Sequence, residues 1–206
     1  MSDHAHALET STGLDSRKLA IWTFIGSECM FFASLISTYV VYRNKSLVGP
    51  FPHEAWVSPA GQHFEPIIEI PLVTAGTAVL LFSSFFVVLA LYGAQRGNRK
   101  MMIGWLGATI LCGFFFIGMQ VYEFTHFVHK GLTLQTNLFG ASFFTLTGFH
   151  GTHVTIGVIW LITMFILALR GQLPPENSIN LEMAALYWHF VDVVWVVIFP
   201  VVYLMK

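Results

Sequence analysis

Long apolar runs alternate with short polar connections along this chain. Five runs stand out, over Leu19–Tyr42, Ile70–Tyr92, Met101–Phe124, about Leu138–Leu169 and about Glu182–Leu204. Each reaches the roughly 20 apolar residues that a bilayer crossing needs. Backbone polar groups in hydrocarbon must be satisfied within their own segment. The pattern therefore predicts an all-α fold, a bundle of five transmembrane helices over residues 17–206, preceded by a polar tail at 1–16. The fourth run exceeds the hydrocarbon thickness, so it tilts or lays its first turns in the interface. It lies in a stretch, Leu132 to Leu169, without Asp, Glu, Lys or Arg. There His150 and His153 share a helix face. Thr147, Gly151 and Thr155 form a small-residue row that admits a close neighbour, which marks this helix as the central one.

Composition sharpens this picture. The chain is 55% hydrophobic and 10% charged, with 20 Phe, against roughly 25% charged residues in soluble domains. A net charge of −1 offers no basic footprint for nucleic acid. Cys29 and Cys112 sit in apolar runs without CxxC spacing and read as small buried hydrophobes. The tail, with His4 and His6, lacks the basic-then-apolar layout of a signal peptide.

The connections set orientation. Arg17, Lys18, Arg96, Arg99, Lys100 and Arg170 fall on one side, and Arg43, Lys45, Lys130 and Lys206 on the other. The excess places the N-terminus inside and the C-terminus outside. The one long loop, Asn44–Glu69, carries Pro50, Pro52, Pro59 and Pro66 with Phe51, Trp56 and Phe64. It reads as an ordered lid or partner contact. Pro174–Pro175 and Asn177 make a short turn between the last two helices.

Ionisable groups inside these runs are costly and mark sites. Glu28 lies roughly 14 Å into the first run at 1.5 Å per residue. It is either protonated and hydrogen-bonded or paired, with Ser27, Ser34 or a histidine of another helix as candidate partners. Its role is proton handling or headgroup contact on one reading, and a plain interhelical hydrogen bond on the other. Glu123, with His126 and His129 beyond it, ends the third run where a carboxylate reaches the interface, and suits a structural or subunit contact. His150 and His153 could ligate a metal, but HxxH is an incomplete ligand set, and packed, hydrogen-bonded histidines are the plainer reading. His189 and Asp192 share a face of the last run, and Asp192 needs a donor, for which His189 or a fourth-run histidine serves. Glu28, His150, His153, His189 and Asp192 are expected to form one interior cluster. Phe114–Phe115–Phe116 reads as lipid-facing or core packing, and Trp188 as an interfacial anchor.

Several of these stretches carry a family resemblance. Leu186–Tyr187–Trp188–His189–Phe190–Val191–Asp192–Val193–Val194–Trp195, Gly148–Phe149–His150–Gly151–Thr152–His153–Val154 and Ser27–Glu28–Cys29–Met30–Phe31–Phe32 resemble motifs of subunit III of haem–copper terminal oxidases. Gln120–Val121–Tyr122–Glu123–Phe124 and Pro71–Leu72 with Leu81–Phe82–Ser83–Ser84 fit the remaining helices, in order. The chain looks like the five-helix bacterial form. The resemblance implies a cytochrome c oxidase subunit III without redox metals of its own and without catalytic residues. Haem and copper would sit in partner subunits. Subunit I would be the main contact, with subunit II and small subunits nearby, bound phospholipid, and cytochrome c as the electron donor to the complex. Its setting would be the bacterial cell membrane. Glu28, Glu123, His150, His153, His189 and Asp192 would then be structural, lipid-binding or proton-supporting. Phe116–Ile117–Gly118–Met119 and Val201–Val202–Tyr203–Leu204–Met205 look like the quinol oxidase branch, whereas Glu28 looks like the cytochrome c branch. Two readings of other classes compete: a haem-binding electron-transfer protein using HxxH, and a proton carrier using Glu28 and Asp192.

Overall fold

The computed structural model describes residues 15–43, 45–47, 49–51, 54–57, 61, 63–64, 70–175 and 178–205. Among them, five helices are long and apolar enough to cross a membrane. They are α1 (Ser16–Tyr42), α2 (Ile70–Gln95), α3 (Arg99–His129), α4 (Leu138–Leu169) and α5 (Ser178–Phe199). A π-helical turn, Pro200–Leu204, continues α5. The strands among the described residues are the two-residue pair β1 (Trp56–Val57) and β2 (His63–Phe64), antiparallel in the long loop. The polar tail with His4 and His6, the loop prolines Pro52, Pro59 and Pro66, Asn177 and Lys206 lie outside the described residues.

Four of the five helices extend beyond their apolar runs, because polar residues cap helices without belonging to hydrocarbon. Asp15 accepts a hydrogen bond from the Arg17 backbone N–H at 2.9 Å. The Arg17 side chain bonded to it holds that carboxyl below its usual range. Asn98 caps α3 through the Met101 N–H at 3.1 Å, and Asn137 caps α4 through the Gly140 N–H at 2.7 Å. Gly97 and Gly171, at φ 68° and 72°, adopt the left-handed conformation that closes α2 and α4. The Arg99 side chain then donates to the Ala168 carbonyl at the end of α4.

Enclosure differs from the expectation. The most apolar window of α5 is 56% buried, against 33% for α2, α3 and α4 and 11% for α1. The central helix is therefore α5, not α4. It packs on α1, α2 and α4 and carries large rings around much of its circumference, so it needs neighbours on several sides. Trp188 shows how this works. It is no interfacial anchor but fully buried. Its ring fills a notch made by two glycines of other helices, where a Cβ on Gly113 or on Gly157 would come within 2.9 Å of it. Its indole N–H donates to Ser83 Oγ at 2.9 Å. An indole N–H at this depth needs such a partner.

The N-terminal ends of α1 and α5 are joined by Lys18 and Glu182 at 2.8 Å. At the opposite end of the bundle, the long loop is tied to the start of α4. The Phe139 N–H donates to Ser46 Oγ at 3.0 Å, and Asn137 Nδ2 donates to the Pro50 carbonyl at 3.2 Å. The cysteines depart from their expected burial: Cys29 faces out of the bundle and Cys112 is half-buried, both as free thiols. Apolar positions on a helix face that meets lipid need no burial against protein, and a thiol is tolerated there as a small hydrophobe. Phe114 and Phe115 also face outward, while Phe116 is fully buried.

Replacing Gly157 by Leu puts a branched side chain where the Trp188 ring sits. We expect a loss of roughly 1–3 kcal/mol in detergent-unfolding experiments, and for Trp188→Phe a loss greater than about 0.6 kcal/mol, the average for one interhelical hydrogen bond, because the smaller ring also leaves part of the notch empty. Equal stability of Gly157→Leu and the parent chain would contradict the notch.

Candidate functional site

The interior polar groups do not gather into one cluster. They fall into four separate arrangements, each held by side chains from different helices.

The first joins α1 to α4. Ser27 and Ser34 donate to carbonyls of their own helix, the ordinary fate of a hydroxyl inside a helix. Glu28 is left to His153, with Oε2 3.2 Å from Nε2. The other ring nitrogen, Nδ1, lies 2.8 Å from the Phe149 carbonyl. A carbonyl only accepts, so Nδ1 carries a proton and donates. Nε2 then faces Glu28 with one proton between them, either on the carboxyl or on the ring. The pair is net neutral in both cases, which is what a half-buried site in a membrane helix demands. With both nitrogens engaged, His153 has none left for a metal.

The second is His150. It is fully buried, and neither ring nitrogen has a hydrogen-bond partner among the described residues. Its ring stacks on Trp195 at 4.8 Å and 23° and meets Phe116 and Phe32 edge-on. Phe32 also stands edge-on to His153 at 4.9 Å, so the two histidines share a face yet have different surroundings. The close approach expected along Thr147, Gly151 and Thr155 occurs at the first two. Gln120 of α3 donates to the Thr147 carbonyl at 2.6 Å and lies where a Cβ on Gly151 would be. Thr155 is exposed.

The third joins α2 to α5. Asp192 is 3% exposed. Its donor is neither His189 nor a fourth-helix histidine but the Ser84 hydroxyl, which bonds Oδ2. The same hydroxyl lies 2.9 Å from His189 Nδ1. Asp192 Oδ1 is buried and has no partner among the described residues. Close by, the Trp195 indole donates to Thr77 Oγ1 at 2.9 Å. Thr77 pairs with Trp195 late in α5, whereas Ser83 and Ser84 pair with Trp188 and Asp192 earlier in it, so α2 and α5 are tied together as antiparallel neighbours.

The fourth is Glu123. It is turned into the bundle, 5% exposed, and accepts from the Tyr203 hydroxyl at 2.9 Å. Tyr203 stands in the π-helical turn that follows Phe199. Pro200 has no N–H for the preceding turn, and the wider turn changes the register of the residues after it. His126 stacks on Tyr122 at 6.0 Å.

Ser84, Ser83, Thr77, Gln120 and Tyr203 complete these arrangements and escaped reading as site residues. The doublet Ser83–Ser84 inside an apolar run was the available signal. Among the described residues, no three of His, Cys, Asp and Glu converge as a metal-ligand group.

A family model described as "Cytochrome c oxidase subunit III" matches residues 2–206. Quinol oxidase subunit 3 of Bacillus spizizenii is 40% identical over 91% of this chain and 86% of its own length. Cytochrome c oxidase subunit 3 of Bacillus sp. strain PS3 is 40% identical over 91% of this chain and 84% of its own. Cytochrome bo(3) ubiquinol oxidase subunit 3 of Pseudomonas aeruginosa is 36% identical over 98% and 90%.

The one-proton pairing of Glu28 and His153 separates two substitutions. In Glu28→Gln the amide N–H can donate to His153 Nε2, so stability should change little. In Glu28→Leu that donor is gone, and a loss of about 1 kcal/mol is expected by detergent unfolding. If Gln proved as costly as Leu, the donor assignment would be wrong.

Proposed function

The chain belongs to the cytochrome c oxidase subunit III family, and from that membership we propose that it is a non-redox accessory subunit of a bacterial haem–copper oxidase. In that role it packs on subunit I, near subunit II and small subunits, binds phospholipid, and supports sustained turnover and proton uptake in a complex that reduces O2. Haem and copper then belong to the partner subunits. The observation that carries this reading is how the acidic groups of the bundle are engaged. Glu28 bonds His153, Asp192 bonds Ser84 and Glu123 bonds Tyr203. Each joins two helices, as expected of a scaffold whose polar groups hold it together.

The haem-binding alternative draws no support from HxxH. Both nitrogens of His153 are engaged and the His150 ring is enclosed by Trp195, Phe116 and Phe32. An open cavity of about 590 Å³ at the C-terminal end of α3, lined by Phe124, Val128, Leu134 and Phe144 together with His129 and Gln135, supports the phospholipid reading. Apolar rings beside a few polar groups match an acyl chain continued by a headgroup. The Lys and Arg distribution supports a cell-membrane subunit with the N-terminus in the cytoplasm and the C-terminus outside.

Cytochrome c is our reading for the electron donor. Quinol is the second, because a quinol oxidase subunit is 40% identical to this chain, as is a cytochrome c oxidase subunit.

Deleting this subunit should leave the haem absorbance of the catalytic core intact while activity declines over successive turnovers. Loss of the haem spectrum itself would contradict the accessory role. Co-purification in mild detergent should bring down haem-bearing subunits, and the electron donor that reduces the purified complex separates the two oxidase readings.

A further inference from the structure

Ser84 differs from most Ser and Thr hydroxyls of the described helices. Fifteen Ser and Thr side chains in the described helices, Thr77, Ser83 and Thr147 among them, donate to a carbonyl three or four residues back on their own helix. The Ser84 hydroxyl instead stands between Asp192 Oδ2 and His189 Nδ1. A hydroxyl has one proton to give and lone pairs to accept with. With its proton directed at Asp192, it must receive one from His189 Nδ1. The alternative is the mirror arrangement, in which Asp192 donates to Ser84 and Ser84 to His189. Both are complete chains of hydrogen bonds, and they differ only in where each proton sits.

The two ends of this chain lie in different surroundings. Asp192 is enclosed, with Oδ1 buried and without a partner among the described residues. His189 is half-buried and belongs to the open side of α5, four residues from Val193, which is 63% exposed. At 1.5 Å per residue, His189 lies roughly 17 Å from the start of α5, so the open end is at mid-membrane depth.

We propose that His189, Ser84 and Asp192 form a proton relay, entered at His189 Nε2 and ending on the Asp192 carboxyl. A proton delivered at that open side, by water held between this chain and a neighbouring subunit, binds Nε2. The Nδ1 proton passes to Ser84 Oγ, and the proton already on Ser84 passes to Asp192 Oδ2. Ser84 is unchanged, His189 is neutral again with its proton on Nε2, and Asp192 has gained one proton. Reversal of the same steps releases it. The relay thus lets an enclosed carboxyl exchange protons without touching water. It deepens the proton-supporting role proposed above and rests on that reading for its use, but not for its existence.

The test is hydrogen–deuterium exchange of the Asp192 carboxyl in the intact oxidase complex, followed by infrared spectroscopy. Loss of a protonated-carboxyl band in Asp192→Asn identifies the group. Transfer of the wild-type complex to D2O should shift that band. Ser84→Ala should slow the shift by about tenfold or more, because exchange then waits on local opening of the bundle. Ser84→Thr, which keeps a hydroxyl, should restore it, and His189→Phe should slow it as Ser84→Ala does. Exchange at the wild-type rate in Ser84→Ala or His189→Phe would overturn the relay, as would the absence of any Asp192 carboxyl band across the pH range in which the complex is stable. Where Ser84→Ala prevents assembly, the contrast between His189→Phe and Ser84→Thr decides by the same rates. The readout needs no turnover, so it is separate from the deletion and co-purification results that test the accessory role.

Discussion

Hydrocarbon offers no hydrogen bonds, and that single deficit organises the bundle. The acids, indoles and phenols buried within the spans have to find partners on neighbouring helices. In this protein most of those partners converge on α5 and the turn that extends it. Trp188, Asp192 and Trp195 reach hydroxyls of α2, Tyr187 donates to the His153 carbonyl of α4, and Tyr203 meets Glu123 of α3. On α1, Tyr39 donates to the Val202 carbonyl. Most membrane helices associate by close packing with little hydrophobic drive. Here packing is supplemented by ties whose geometry admits one rotation of each helix about its axis.

Small residues make those ties possible. The Trp188 indole reaches Ser83 because Gly113 and Gly157 leave room for its ring. Gln120 reaches the Thr147 carbonyl because Gly151 lacks a Cβ that would occupy the same space. Thr77 and Ser83 each satisfy their own helix and still accept an indole N–H. A hydroxyl with two lone pairs can do both. The outer faces follow the opposite rule. Met30, Phe82, Leu111 and Val193 face away from the bundle, towards lipid or neighbouring subunits, where no complementary notch is required of this chain.

The charged ends of the helices work on a different scale. Lys18 with Glu182 and Arg99 with the end of α4 sit near the membrane surface, where water competes. Such contacts contribute little stability individually. They join helix ends whose spacing the buried ties have already set.

Much was legible in the amino-acid order because it follows from length and composition. A bilayer demands about 20 apolar residues per crossing, so the five spans, the all-α class and the positions of the costly groups Glu28, Glu123, His150, His153, His189 and Asp192 could be read directly, as could the family motifs. Helix ends at Ser16, Gln95 and His129 were less legible, because capping residues are polar and resemble loop. Three things were decided only in three dimensions: that α5 and not α4 is enclosed, that Trp188 is core, and that the five expected partners separate into different arrangements. Spacing along one helix tells which residues share its face, but not which face meets which neighbour. A hydrogen bond a few ångströms long depends on the rotation and depth of two helices at once. That is why Ser84, an ordinary residue in an apolar run, became the partner of Asp192 only when α2 and α5 were packed together.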